Sequence, residues 1–192
     1  MIFTKLMPLD EQMKDFGFYW ENVSDILKQI DNKCQAVFAE FLAKKQLREE
    51  LGDLLYLIVS CAFFLKLDIC NESEIYVSQF DRKNPPAGPV SFRGSTALLD
   101  EIVNDADVIE KKFRTDLTYC RKVLLEMVCT ACKLINELGF KCIDVLSRSF
   151  GRFKKRMLKL IALVQEKKLD DLNSMSMQDK TSLWMEAGLM VA

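Results

Sequence analysis

Three carboxylates stand at the head of an apolar stretch in Arg48-Glu49-Glu50-Leu51-Gly52-Asp53-Leu54-Leu55-Tyr56. On a helix Glu49 and Asp53 are four apart and Glu50 and Asp53 three apart, so all three project from neighbouring positions. From Leu54 to Leu65 the chain is then almost wholly apolar. Negative charge gathered against a buried seam is costly unless a cation sits on it, and Mg²⁺ is the usual cation for oxygen ligands. The spacing therefore points to a divalent-cation site. The competing reading is a solvated helix start, favoured by the N-terminal dipole and kept soluble by Lys45 and Arg48.

Other chemistries are narrower. The chain has no histidine, which excludes Ser-His-Asp and Cys-His nucleophilic catalysis. Its cysteines (Cys34, Cys61, Cys70, Cys120, Cys129, Cys132 and Cys142) are odd in number and lie among apolar residues, as suits buried, reduced thiols. Cys129 and Cys132 have C-x-x-C spacing, but within a helical pattern and with no second pair to complete a zinc site. A net charge of -1 provides no basic field for nucleic acid. Met1 to Asp10 lacks a secretory apolar run, and Leu54 to Leu65 is short of the roughly 20 residues that span a bilayer. A soluble, cytoplasmic protein with no membrane partner is expected.

The elements that must position these groups all read as helices. Val23, Ile26, Leu27, Ile30, Val37, Phe38 and Phe41 follow three-and-four spacing between Trp20 and Leu42. A second helix over about Gln46 to Leu67 carries the acids, and a shorter one covers about Glu72 to Arg82. Asn84-Pro85-Pro86-Ala87-Gly88-Pro89 breaks the pattern. Helices resume over about Thr96 to Phe113, Asp116 to Leu138 with Gly139 as a C-terminal cap, and Ile143 to Gln165. Ser176 and Asp179 look like the cap of a last helix holding Trp184. The phenylalanines, Phe38, Phe41, Phe63 and Phe64 among them, read mostly as core. The fold class is all-α, with 192 residues sufficient for one core.

The two sides of the linker match. Val59-Ser60-Cys61-Ala62 parallels Val128-Cys129-Thr130-Ala131, and Phe80 with Lys83 parallels Phe153 with Arg156. An internal duplication follows, with a first helical half over residues 1–83, a linker over 84–95 and a second half over 96–192, packed as one bundle.

These residues resemble the MazG family of all-α nucleoside triphosphate pyrophosphohydrolases, a group similar in fold to the dimeric dUTPases. That family's pattern is E-E-x-x-E on one helix, E-x-x-D on the next and K-F-x-x-R further on. Glu50-Leu51-Gly52-Asp53 matches E-x-x-D with Glu49 ahead of it, and Arg152-Phe153-Lys154-Lys155-Arg156 resembles the end of a second unit. The resemblance implies a Mg²⁺-dependent enzyme cleaving a nucleoside triphosphate to its monophosphate and pyrophosphate. Glu50 and Asp53 would be metal ligands and Glu49 the base or an outer partner. Where the first E-E-x-x-E should stand, the chain has Asn32-Lys33-Cys34-Gln35-Ala36, and a lysine at a ligand position repels the ion. In the second half Asn104, Asp107 and Glu126 form the matching metal set, against the alternative of an ordinary amphipathic face. Arg152 and Arg156, one turn apart, have the spacing to grip a triphosphate or to form a charged solvent face. Two incomplete sets can work only by converging, or if a second chain completes them in a homodimer. The alternative function is a catalytically degenerate relative acting as a nucleotide-binding or protein-interaction module.

Overall fold

The computed structural model describes residues 11–15, 17–43, 46–85, 92–169, 172 and 175–189. All regular structure among them is helical. In chain order the long helices are α1 (Val23–Ala43), α2 (Leu47–Phe64), α3 (Cys70–Lys83), α4 (Phe92–Lys112), α5 (Leu117–Glu137), α6 (Cys142–Glu166) and α7 (Met177–Leu189). None of the described helices is long and apolar enough to cross a membrane. Residues 86–91, half of the expected linker, lie outside the described residues, as do Met1 to Asp10 and Lys45.

Local chemistry sets the helix ends. Asn22 Oδ1 accepts from the Asp25 N–H at 3.0 Å, and Asp116 caps α5 by accepting from the Tyr119 N–H at 2.9 Å. Gly139 ends α5 at φ 81°, and the Phe140 N–H returns to the Ile135 carbonyl at 3.0 Å, a Schellman closure. Ser176 Oγ accepts from the Asp179 N–H at 3.2 Å and donates to its carboxylate at 2.6 Å, the capping arrangement expected for α7. Helix α2 stops at Phe64, three residues before the expected Leu67. Here Lys66 adopts the left-handed turn at φ 57°, and the Leu67 N–H bonds to the Ala62 carbonyl at 2.8 Å. A lysine does what glycine usually does, so the stop signal was absent from the sequence.

The chain divides into two compact units, the first built on Trp20–Ser149 and the second on Phe150–Ala192 with Lys5–Tyr19. The division falls within α6, whereas the linker expected from sequence lay at residues 84–95; helices from both sides of that linker share the first unit. Within it α1 pairs with α2 and α4 with α5, while α1 also packs on α4, α2 on α5 and α3 on α5. Ile26, Ile30, Leu54, Leu55, Ile58, Ile102, Ile109 and Leu124 are fully buried at these contacts. Phe38 corrects the expected core stripe of α1: it is 42% exposed. The inward stripe runs through Ile30, Cys34 and Val37, and Phe38 sits about 100° around from Val37. Phe41, Phe63 and Phe64 are half-buried. The second unit has its own core of Met13, Met157, Leu160, Leu163, Val164, Leu172, Leu183 and Ala187, with Phe153 and Trp184 packed against it.

The cysteines are free thiols, all buried except the half-buried Cys129. Burial pushes Cys34 and Cys61 up to about 12, so neither ionises near neutrality.

Candidate functional site

The acidic turn opens α2. Glu49 and Glu50 occupy its first turn, where unpaired backbone N–H groups favour negative charge. Arg48 places its guanidinium 4.8 Å from the centre of the Phe140 ring. Glu49 is exposed, whereas Glu50 and Asp53 are only 16% and 34% exposed and face neighbouring helices.

Two partners reach those inner carboxylates. From α1, Lys33 Nζ donates to Glu50 Oε2 at 2.6 Å and lies 3.4 Å from Asp53 Oδ2. From α6, the buried Ser149 hydroxyl donates to Asp53 Oδ1 at 2.6 Å. Both oxygens of Asp53 are therefore engaged, one by a cation and one by a neutral donor. Gly52 makes the second contact feasible. A Cβ there would stand 2.8 Å from both Ser149 Cβ and the Val145 carbonyl, so α6 approaches α2 across a surface without a side chain.

A cation does sit on the acidic turn, and the chain itself supplies it. Lys33 stands at the second position of the segment Asn32 to Ala36, where the resemblance calls for a glutamate. With an ammonium on both carboxylates, Glu50 and Asp53 do not fit Mg²⁺: the positive charge repels the ion, and the N–H donors occupy oxygens that would ligate it. Among the described residues, no three His, Cys, Asp or Glu side chains are grouped as for a metal ion.

The second set gathers differently from the expected one. Asn104 and Asp107 are exposed on α4, and Glu126 on α5 pairs with Lys122 one turn away at 3.5 Å. The α4 carboxylate that feels Glu126 is Asp105, two residues and about 200° around the helix from Asp107. Burial first, then the charges of Glu101 and Glu126, push Asp105 up to about 6. Glu101 in turn accepts from the buried Thr130 hydroxyl at 2.8 Å. Sequence pattern passed over Glu101 and Thr130, although a four-residue step between Glu101 and Asp105 puts both on one face.

Arg152 and Arg156, the expected phosphate ligands, are half-buried in the second unit. Arg156 Nε donates to the Trp184 carbonyl at 2.8 Å, and its guanidinium lies 4.3 Å from the Trp184 ring centre. A Cβ at Gly188 would meet that guanidinium at 2.7 Å, so the residue needs that glycine beside it. One face and one N–H of Arg156 thus fasten α7 to α6.

Sequence reasoning missed Ser149 and the reason for Gly52. It also missed Asp81, which accepts from the Cys142 and Ile143 N–H groups at 2.9 Å each and so caps α6 from α3. No family model matches the chain, and neither a curated protein nor a solved structure matches it significantly.

Proposed function

We propose that the chain is a catalytically degenerate helical protein of MazG-like type, the two helix pairs of its first unit sharing one core, that acts as a nucleotide-binding or protein-interaction module. The observation that carries this reading is Lys33 bridging Glu50 and Asp53 at 2.6 and 3.4 Å. A carboxylate pair neutralised from within keeps the packing value of the acidic turn while losing its attraction for a divalent ion. The pairing of α1 with α2 and α4 with α5 supports the duplicated architecture.

The second reading is a Mg²⁺-dependent nucleoside triphosphate pyrophosphohydrolase, and one observation favours it. Glu101, Asp105 and Glu126 bring negative charge together between α4 and α5, the second helix pair. Carboxylates are the ligand type that Mg²⁺ takes, although these three are not grouped closely enough to hold an ion by themselves.

Pyrophosphate release from the deoxynucleoside triphosphates with Mg²⁺ or Mn²⁺ separates the two. The degenerate reading expects release at the level of a no-protein control, together with thermal stabilisation by a nucleotide if nucleotide is the ligand. Stabilisation by no nucleotide would leave the protein-interaction form of the same reading. Metal-dependent release that disappears in Asp105→Asn would establish the hydrolase instead.

A further inference from the structure

We infer that Lys33 is a built-in counter-ion standing where a divalent cation would otherwise bridge Glu50 and Asp53, so that the native chain closes a metal site which one substitution reopens. This rests on the degenerate reading above only for the idea that a metal once belonged there; the geometry stands by itself. The Lys33 ammonium is within hydrogen-bond reach of Glu50 and near Asp53, on a side chain 27% exposed. Ser149 already orients the far oxygen of Asp53 at 2.6 Å, so the carboxylate is held whether or not the lysine is present. The two acids lie three apart on α2, and Lys33 approaches them from α1. A carboxylate at position 33 would face the same pair from the opposite helix and complete three oxygen donors, a usable set for a small hard cation with water filling the remaining positions.

Lys33 therefore has two effects of opposite sign. It removes the repulsion between Glu50 and Asp53, which stabilises the helix pair, and it forbids the ion that would do the same. Exchanging the lysine for an acid reverses both together.

The test is thermal unfolding of the full chain and its variants in EDTA and in millimolar Mn²⁺. The wild-type midpoint should be unchanged by the metal. Lys33→Glu should melt lower in EDTA and recover by roughly 3–10 °C if Mn²⁺ is present at ten to a hundred times its Kd. Glu50→Gln added to Lys33→Glu should abolish that recovery. If Lys33→Glu does not fold, Lys33→Gln serves: it removes the charge and offers only a neutral amide oxygen in place of a carboxylate, so it should gain a smaller Mn²⁺-dependent rise, also lost with Glu50→Gln. The inference is overturned if the wild type is stabilised by Mn²⁺ through Glu50, or if neither variant responds. Pyrophosphate release by the wild type would defeat the degenerate reading without touching this one, so the two failures are distinguishable.

Discussion

Two acidic clusters in the first unit handle the same electrostatic problem in different ways. On α2, Glu50 and Asp53 receive an ammonium from Lys33 and a hydroxyl from Ser149. Between α4 and α5, burial first and then the charges of Glu101 and Glu126 push Asp105 up to about 6, with Thr130 donating to Glu101 and Lys122 pairing with Glu126 at the edge. The first cluster is balanced by charge brought from another helix. The second is balanced in part by reluctance to ionise. A built-in cation neutralises its carboxylates directly, whereas a carboxyl that titrates near neutrality makes its surroundings pH-dependent.

The largest expected effect breaks the first cluster without changing a charge. Gly52→Val should destabilise the protein by roughly 3 kcal/mol, because its Cβ meets Ser149 and the Val145 carbonyl at 2.8 Å and α6 must move away. Urea unfolding measures this, and Gly52→Ala should fall between the variant and wild type.

Next is the charge itself. Lys33→Met keeps the aliphatic stem and leaves two partly buried carboxylates without their cation, at a cost of about 2 kcal/mol. Adding Glu50→Gln should recover part of that loss, so the double variant is less destabilised than the sum of the singles. Simple additivity in that cycle would mean the 2.6 Å pair contributes nothing.

In the second cluster the effect has the opposite sign. The folded state holds a proton on Asp105 up to about pH 6, while an unfolded aspartate releases it near its ordinary 3.8. Stability from this group is therefore greatest in acid and falls as pH rises through that window. Asp105→Asn removes the penalty and should stabilise the protein by about 1 kcal/mol at pH 7, after allowance for solvent screening of a partly exposed group. The gain should vanish below about pH 4. Thermal melts across pH 4–8 measure it, and an equal gain at both ends would contradict the mechanism.

The smallest effect calibrates α2 itself. Lys66→Gly relieves a left-handed lysine at φ 57° beyond both clusters and should stabilise by about 0.5–1 kcal/mol in the same urea assay.

These comparisons also mark what the chain made legible. Helix positions were readable because apolar spacing, Gly139 and the Ser176–Asp179 cap are local signals. Lys66 was not, since nothing about a lysine announces a left-handed turn. The presence of Lys33 where an acid was expected could be read directly, but its reach to Glu50 depends on how α1 and α2 pair. Ser149 lies 96 positions from Asp53, so their contact exists only once α6 is packed over Gly52. Asp105 rather than Asp107 meets Glu126 because the roll of α4 is set by burying Leu99, Ile102, Ala106 and Ile109. Among the described residues, helices were a local property and the candidate site was a tertiary one.

The charge balance at Glu50 and Asp53 is most directly tested by an anomalous difference map from crystals grown in millimolar Mn²⁺. Density for the Lys33 ammonium between the two carboxylates, with no anomalous peak there, is the expected result. A Mn²⁺ peak bridging Glu50 and Asp53, with Lys33 turned away, would contradict it.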